Sequence, residues 1–191
     1  VFDLKKRKFV GAFEEMYSNE DTDGFDSWFQ EDIRHLTKQI SLLVLNRYNF
    51  SSILDIGCGK GTFTSLLKKA NNYVMGTDIS ETAIKKAKAK YPDIEFKVLS
   101  AKKALKMPKQ WDLVVIMEVL SYIKEWKDVI KNASKKCRNI YFSLYLPKNP
   151  IGYIKAISPF KSVIKKYFNI EIELVLNGHN YYIFAVNKRS F

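Results

Sequence analysis

The feature that most constrains the fold of this chain is the stretch SSILDIGCGKGTFTSLL at residues 51–67. It passes from an apolar run that predicts a buried strand, through Gly57, Gly59 and Gly61, into an amphipathic segment that predicts a helix. Glycines at a strand-to-helix turn let the backbone approach a ligand, and the helix N-terminus offers free N–H groups. The stretch therefore predicts an α/β domain with a ligand site at this turn.

The spacing of the three glycines argues against two common nucleotide loops. A dinucleotide-binding G-x-G-x-x-G loop would need its third glycine at Thr62, and here it stands at Gly61. A phosphate-cradling loop would need Gly-Lys followed by Ser or Thr, but Lys60 is followed by Gly61. The loop therefore indicates a ligand other than a dinucleotide or a nucleoside triphosphate.

Strand-like and helical runs alternate along the rest of the chain, which is typical of an α/β domain with helices on both faces. The continuous apolar middle of WDLVVIMEVL predicts a central parallel strand covered on both sides. Near the end, IEIELVL and YYIFAVNK flank NGHN, which predicts an antiparallel hairpin because Asn-Gly tolerates positive φ. Just before it, IKAISPFKSVIKKYF predicts a helical region interrupted by Pro159.

The length of 191 residues predicts a single domain. Within it, residues 51–191 form the expected α/β core and residues 1–50 an N-terminal cap or lid region. In that region FEEMYSNEDTDGFDSWFQ is expected to be irregular and acidic, whereas DIRHLTKQISLLVLNRY has helical spacing. Two interpretations stay open: a lid over the carboxyl edge of the sheet, or a helix that only packs on it.

Composition narrows the partners and the compartment. The net charge of +12 is compatible with a nucleic acid, yet only five of the 32 basic residues are arginines, which disfavours specific phosphate or base recognition. Cys58 and Cys137 are widely separated, so neither a disulfide framework nor a metal site is expected. We see no signal-peptide pattern and no apolar run of about 20 residues, so a cytoplasmic protein without membrane contact is expected.

Two acidic residues mark the ends of two predicted strands. Asp55 precedes the glycines, and Asp78 ends the next strand in VMGTDIS. A carboxylate at the second position accepts hydrogen bonds from ribose hydroxyls in nucleotide-binding folds. An acid directly before the glycine loop suits a cationic or amino-bearing ligand better than a pyrophosphate. Together they predict a ribosylated, positively charged small molecule.

Three motifs in this order resemble those of the class I S-adenosylmethionine-dependent methyltransferases, over residues 51–146. LDIGCGKGTFTSLL is similar to their first motif, GTDIS to the acidic end of their second strand, and WDLVVIMEVLSYI to their fourth strand and its turn. The resemblance implies a methyltransferase with a Rossmann-like, doubly wound, seven-stranded sheet, mostly parallel with an antiparallel C-terminal hairpin strand. It also implies S-adenosylmethionine as cofactor and S-adenosylhomocysteine as product.

The resemblance also assigns cofactor-binding residues, in the glycine loop and at the strand ends. Asp55, Gly57, Cys58 and Gly59 would surround the methionine part, Asp78 would bind the ribose, Ile79 would pack on the adenine, and Met117 would line the floor near the methyl group. Where relatives often have an acid facing the adenine amino group, this chain has LSAKK. Ser100 or the backbone near Ala101 is the expected substitute.

Three residues of the presumed lid complete the expected cofactor site. Tyr17 and Trp28 would cover the sulfonium by cation–π contact, and Arg34 would pair with the cofactor carboxylate. The alternative for each is packing without a ligand.

Methyl transfer from a sulfonium needs an aligned nucleophile and, in some cases, a group that accepts its proton. Glu118 and Tyr122, beside the fourth strand, and His35 on the N-terminal helix are the catalytic candidates. The alternatives are support of a helix terminus for Glu118, packing for Tyr122 and a surface position for His35. His179 is expected to lie exposed in the hairpin turn.

The motifs leave the substrate class partly open. The fourth strand ends in IMEVL, without the Asn/Asp-Pro-Pro-aromatic pattern used for planar amines, and no Pro-Cys nucleophile follows it. Methylation of an O or N atom of a small polar metabolite is therefore expected, with sugars and amines as candidate acceptors. The alternatives are an RNA or protein methyltransferase and a non-catalytic S-adenosylmethionine-binding protein.

Overall fold

The structure is a computed structural model and describes residues 1–3 and 5–189. It begins with a short antiparallel pair, β1 (Phe2–Asp3) and β2 (Lys8–Phe9). The strands of the main sheet are β3 (Ser52–Ile56), β4 (Tyr73–Asp78), β5 (Glu95–Val98), β6 (Trp111–Met117), β7 (Cys137–Tyr145), β8 (Phe168–Leu176) and β9 (Asn180–Asn187). The helices are α1 (Phe13–Asp23), α2 (Leu36–Leu45), α3 (Thr62–Leu67), α4 (Glu81–Lys90), α5 (Ala101–Ala104), α6 (Trp126–Ala133) and α7 (Ile157–Tyr167). Two 3₁₀ turns lie at Ser27–Phe29 and Leu120–Tyr122.

The main sheet has seven strands in the order β5-β4-β3-β6-β7-β9-β8. Neighbouring strands are parallel except for the two pairs that contain β9. The predicted fold class, a mostly parallel sheet with an antiparallel hairpin strand, is confirmed. The strand order reverses between β3 and β6, and in such sheets ligands bind in the crevice outside the carboxyl ends of the strands at this reversal.

The apolar run in β6 has two separate partners, one on each face of the sheet. Leu113 and Val115 belong to the cluster that also contains residues of α2 and α3, whereas Val114 and Ile116 belong to the cluster with residues of α6 and α7. All four side chains are fully buried. Because side chains alternate along a strand, two covered faces require an unbroken apolar run.

The hairpin turn between β8 and β9 is as predicted. Asn177 has φ 53° and Gly178 has φ 70°, the left-handed conformation that these two residue types accept most readily. The turn lets β9 run antiparallel between β7 and β8.

Two local expectations were wrong. The acidic segment predicted to be irregular contains α1, an 11-residue helix. Glu14 and Glu15 lie in its first turn, where their negative charges interact favourably with the helix dipole. Gly24 ends the helix in the left-handed conformation, at φ 62°. Pro159 does not interrupt α7, because it lies in the first turn, where a helix does not use the missing N–H.

Within residues 1–3 and 5–189, no helix combines the length and the apolar character needed to cross a membrane.

Candidate functional site

A cavity of about 690 Å³ opens at the carboxyl ends of the central strands. The sheet contributes the loops after β3, β4 and β6 to it, and the N-terminal segment covers it from outside. We call residues 13–38 the N-terminal cover. The lining residues that carry the arguments below are Phe13, Tyr17, Trp28, Phe29, Gln30, His35, Lys38, Asp55, Gly57, Cys58, Phe63, Asp78, Ile79, Ala101, Met117, Glu118, Tyr122 and Tyr145.

The glycine loop needs glycine for space as well as for conformation. Gly57 has φ 77°, and a Cβ there would lie 2.2 Å from a methyl carbon of Val119. At Gly59, with φ 53°, a Cβ would lie 2.1 Å from Oε1 of Gln30. Neither position accepts a larger residue without movement, so the loop is held closely between the turn after β6 and the N-terminal cover. Gly59 itself does not line the cavity.

Asp78 lies at the end of β4 with its carboxylate held by backbone groups. Its two oxygens accept hydrogen bonds from the N–H groups of Gly59 and Ser80, each at 3.0 Å. Burial raises the pKa of Asp78, against the lowering effect of these N–H donors. A carboxylate has about four acceptor sites, so the group keeps capacity to accept a hydroxyl donor from the cavity.

Asp55 lies at the end of β3, one strand away from Asp78, with its side chain almost fully buried. The hydroxyl of Thr64 donates to its Oδ2 at 2.6 Å. Burial raises the pKa of Asp55 to about 7, and the nearby Asp78 carboxylate adds to this effect. A cation in the cavity would favour the ionised form of Asp55, so the group is suited to a positively charged ligand.

The floor of the cavity follows β6. Met117 ends this strand, and Glu118 adopts φ 56°, an uncommon conformation for a residue with a side chain. Its Oε2 accepts the N–H of Tyr145 at 2.7 Å, and burial raises the pKa of Glu118. The strained conformation at a strand end places this carboxyl group at the cavity, as is common for functional residues.

The predicted adenine region is only partly assembled. Ile79, with 55% of its surface exposed, lines the cavity together with Ala101 and Leu99. Ser100 does not line it, because its hydroxyl accepts the N–H of Lys103 at 3.4 Å and caps α5. Of the two expected substitutes for the missing acid, only Ala101 lines the cavity.

The N-terminal cover is joined to the glycine loop through polar contacts. Gln30 donates to the hydroxyl of Tyr17 at 2.6 Å and accepts the backbone N–H of Lys60 at 2.9 Å. The buried ammonium of Lys60 pairs with Glu20 at 3.0 Å and with Asp26 at 2.7 Å. The N-terminal cover is therefore fixed to the glycine loop, an arrangement that both the lid and the packing interpretations allow.

Aromatic side chains line the end of the cavity beneath the N-terminal cover. The ring of Tyr122 lies 5.5 Å from Phe9, 5.5 Å from Phe13 and 6.2 Å from Trp28, measured between centroids. Burial raises the pKa of Tyr122 to about 12. Tyr17 and Trp28, the two aromatic residues predicted to cover a sulfonium from the lid region, both line the cavity, and Trp28 adopts φ 57°.

The remaining predicted residues have different positions. His35 lines the cavity with its ring stacked on Phe29, 5.7 Å between centroids. Arg34 does not line it: its side chain is 92% exposed and its nearest acid, Asp32, is 4.0 Å away. The expected pairing of Arg34 with a cofactor carboxylate has no support in this geometry. His179 lies in the hairpin turn, edge-to-face with Tyr145 at 5.3 Å, and is half-buried instead of exposed.

The structure adds lining residues that the sequence did not single out. Gln30 and Lys38 come from the N-terminal cover, and Tyr145 comes from the end of β7. None of them lies in a recognisable motif. Of these three residues, only Lys38 could have been noticed in the sequence, because it is a charged residue within a largely apolar helical run.

Comparisons with known proteins found similarity to methyltransferases. Residues 54–139 match the family described as "Methyltransferase domain". The "Ubiquinone biosynthesis O-methyltransferase" of Pseudomonas entomophila is 26% identical over 121 residues, covering 59% of this chain and 52% of the relative. The protein of that name from Hydrogenovibrio crunogenus is 31% identical over 121 residues, with 59% and 50% coverage. The chain thus spans about half the length of these curated relatives.

Solved structures share the fold at low sequence identity. The magnesium protoporphyrin IX methyltransferase of Synechocystis PCC 6803 with bound SAM has a TM-score of 0.70 and 20% identity, covering 93% of this chain and 94% of that one. The N-methyltransferase NodS of Bradyrhizobium japonicum WM9, in complex with S-adenosyl-L-homocysteine, has a TM-score of 0.71 and 19% identity, covering 92% and 96%. The family match and the shared fold together confirm the resemblance to class I S-adenosylmethionine-dependent methyltransferases that the sequence motifs indicated.

Proposed function

We propose that the chain transfers a methyl group from S-adenosylmethionine to a small molecule, a proposal supported by the match of residues 54–139 to the family described as "Methyltransferase domain" and by the shared fold. The acceptor atom is an oxygen or a nitrogen. The observation that carries the proposal is the pair of buried carboxylates, Asp55 and Asp78, at the ends of adjacent strands beside a glycine loop. Few other ligands combine ribose hydroxyls with positive charge.

In this proposal, each carboxylate takes one part of the cofactor. Asp78 accepts the ribose hydroxyls with the lone pairs that Gly59 and Ser80 leave free. Asp55, whose pKa of about 7 falls when a cation is near, faces the cationic methionine part. Ile79 and Ala101 provide apolar and backbone surface for the adenine. These assignments follow the predicted cofactor residues, without Arg34 and Ser100.

The cofactor supplies the activated methyl group, and the protein supplies alignment and exclusion of water. Met117 gives an apolar floor, while Trp28 and Tyr122 close the side beneath the N-terminal cover. Glu118, Tyr122 and His35 line the same cavity and remain the candidates for orienting the acceptor or receiving its proton. We also propose residues 1–50 as the cap and residues 51–191 as the core of one domain.

Several observations bear on the kind of acceptor. The aromatic lining from Phe13, Trp28, Phe29, Tyr122 and Tyr145 suits a planar acceptor better than a sugar. The names of the relatives support O-methylation, and that of the neighbour NodS supports N-methylation. Lys38 is the one lysine that the described residues contribute to the lining. The lysines thus do not converge on the cavity, which disfavours the RNA alternative.

The test is methyl transfer from S-adenosylmethionine with a labelled methyl group to a fractionated cell extract. We expect one small-molecule fraction to gain label with the wild-type chain and none with Asp78→Ala. Calorimetric titration with S-adenosylhomocysteine separates the alternatives. Binding without label in any fraction would favour a non-catalytic binding protein, and absence of binding would refute the proposed function.

A further inference from the structure

Lys38 has an unusual position for a lysine. It lies on α2 with only 7% of its surface exposed, and it forms part of the cavity lining. Its ammonium donates to the carbonyl oxygens of Phe29 at 2.7 Å and of Asp32 at 3.1 Å. Lysines are almost never buried unless they are paired with an opposite charge. Its burial beside a cavity therefore calls for an explanation.

Within the described part of the chain, the acids that act on Lys38 form ion pairs with other basic residues and not with Lys38. The charged groups that act on it are Asp26, Asp32 and Lys60. Asp26 is already bonded to Lys60 at 2.7 Å, and Asp32 accepts the backbone N–H of Arg34 at 2.9 Å. The burial of Lys38 lowers its pKa, so the nearby acids do not fully compensate for the loss of water.

The ammonium also keeps hydrogen-bonding capacity. A lysine ammonium has three N–H donors, and the two carbonyl oxygens account for two of them. Neutral carbonyl groups satisfy donors but supply no opposite charge. The same cavity is lined by the carboxyl groups of Asp55, Asp78 and Glu118, but none of them is among the charged groups that act on Lys38. An anion bound at this end of the cavity would supply what the protein lacks.

We propose that Lys38 binds a carboxylate of the methyl acceptor, so that the substrates of this chain are organic acids with a planar, apolar body. The inference rests on the proposed function, since it takes the cavity to hold cofactor and acceptor together. The rival interpretation is structural: Lys38 only ties the carbonyl groups before α2 and has no part in recognition. The two differ in whether loss of the charge changes the preference for an acidic ligand.

The experiment compares two matched probes, 4-hydroxybenzoate and methyl 4-hydroxybenzoate, which differ in the free carboxylate. Each is titrated into the chain saturated with S-adenosylhomocysteine, and its affinity is measured by ligand-detected NMR. We expect the wild-type chain to bind the acid about tenfold more tightly than the ester, the scale of one charge-assisted contact. Lys38→Met should remove this preference, and Lys38→Arg should retain most of it.

Lys131→Met is the matched control, because Lys131 is exposed on α6 and does not line the cavity. It should leave the preference unchanged. The proposal is overturned if the wild type does not bind the acid in the millimolar range, if it does not prefer the acid, or if Lys38→Met weakens both probes equally. If the wild-type chain does not bind S-adenosylhomocysteine, the proposed function is refuted instead. The failure of this inference and the failure of the proposed function are therefore distinguishable.

Discussion

The two walls of the cavity are built in different ways. On the sheet side, Asp55 pairs in register with Gly76 of the neighbouring β4, and Asp78 pairs with Val98 of β5. Strand pairing therefore fixes both carboxylates. On the other side, the N-terminal cover adds no strand to the main sheet. Its contacts with the core include side-chain contacts such as that of Gln30 with the backbone of Lys60.

We expect the sheet wall to recognise the cofactor and the N-terminal cover to recognise the methyl acceptor. A wall fixed by backbone pairing holds its functional groups in place even when surface residues change. Recognition of an invariant cofactor requires such fixed positions. A wall held by a few side chains can vary in residues and position without loss of the sheet. We therefore expect substitutions on the sheet wall to change cofactor affinity most, and those in the cover to have smaller effects.

The largest effect is expected for Asp78→Ala. The substitution removes the carboxylate assigned to the ribose and leaves the N–H groups of Gly59 and Ser80 without their acceptor. Hydrogen bonds to a charged group are each worth about 1.5–3 kcal/mol, so affinity for S-adenosylhomocysteine should fall about 100-fold. Calorimetric titration measures this affinity. Asp93→Ala, at an exposed residue beyond α4, is the control and should have no effect; unchanged affinity in Asp78→Ala would refute the ribose assignment.

The next effect is expected for Lys60→Met, which tests how the cover is held. The substitution leaves the buried Glu20 without one of its ammonium partners, and loss of one member of a buried ion pair costs about 3–5 kcal/mol. Because much of this cost falls on docking of the cover, we expect a roughly tenfold loss of S-adenosylhomocysteine affinity and faster proteolysis between residues 24 and 35.

Lys85→Met, at an exposed position of α4, is the control for this variant. Lys60→Arg, which keeps the charge, should restore part of the affinity. Unchanged proteolysis in Lys60→Met would mean that the ion pairs do not hold the cover, and the contrast between the two walls would then have to rest on other contacts.

The contrast also explains what the sequence could predict. The glycine loop, Asp55, Asp78 and the apolar run of β6 are local patterns, and parallel pairing brings the ends of adjacent strands to one edge of the sheet. The fold and the cofactor side of the site therefore followed from the sequence. The Asn177-Gly178 turn gave the antiparallel strand for the same reason.

The acceptor side could not be predicted in this way. Gln30 reaches Lys60 across 30 positions of sequence, and Tyr145 enters from the end of β7. Arg34 and Lys38 are four residues apart, yet one is exposed and the other buried, and their sequence spacing does not reveal which. Helix α1 was missed because its sequence is mostly polar and its apolar stripe is weak.

A third prediction concerns pH. The pKa of Asp55 is about 7 in the free protein, and a bound cation lowers it because the ionised form gains a partner. Around and below pH 7, binding then releases a proton, so affinity for S-adenosylhomocysteine, through its ammonium group, should rise with pH and level off above about pH 7. The expected gain is about five- to tenfold between about pH 5.5 and pH 7. Asp55→Asn should flatten the profile; an equal slope in this variant would assign the pH dependence to another group.

The smallest effect is expected for Arg34→Ala, although its place in the presumed lid led to the prediction that Arg34 pairs with the cofactor carboxylate. Its side chain is 92% exposed and lies 4.0 Å from Asp32, and an ion pair of this kind contributes about 0–1 kcal/mol. We expect calorimetric affinity for S-adenosylhomocysteine to stay within about twofold of the wild-type value. A loss approaching that of Asp78→Ala would mean that the segment around Arg34 moves onto the cofactor when it binds, and the N-terminal cover would then contribute to cofactor recognition as much as the sheet wall does.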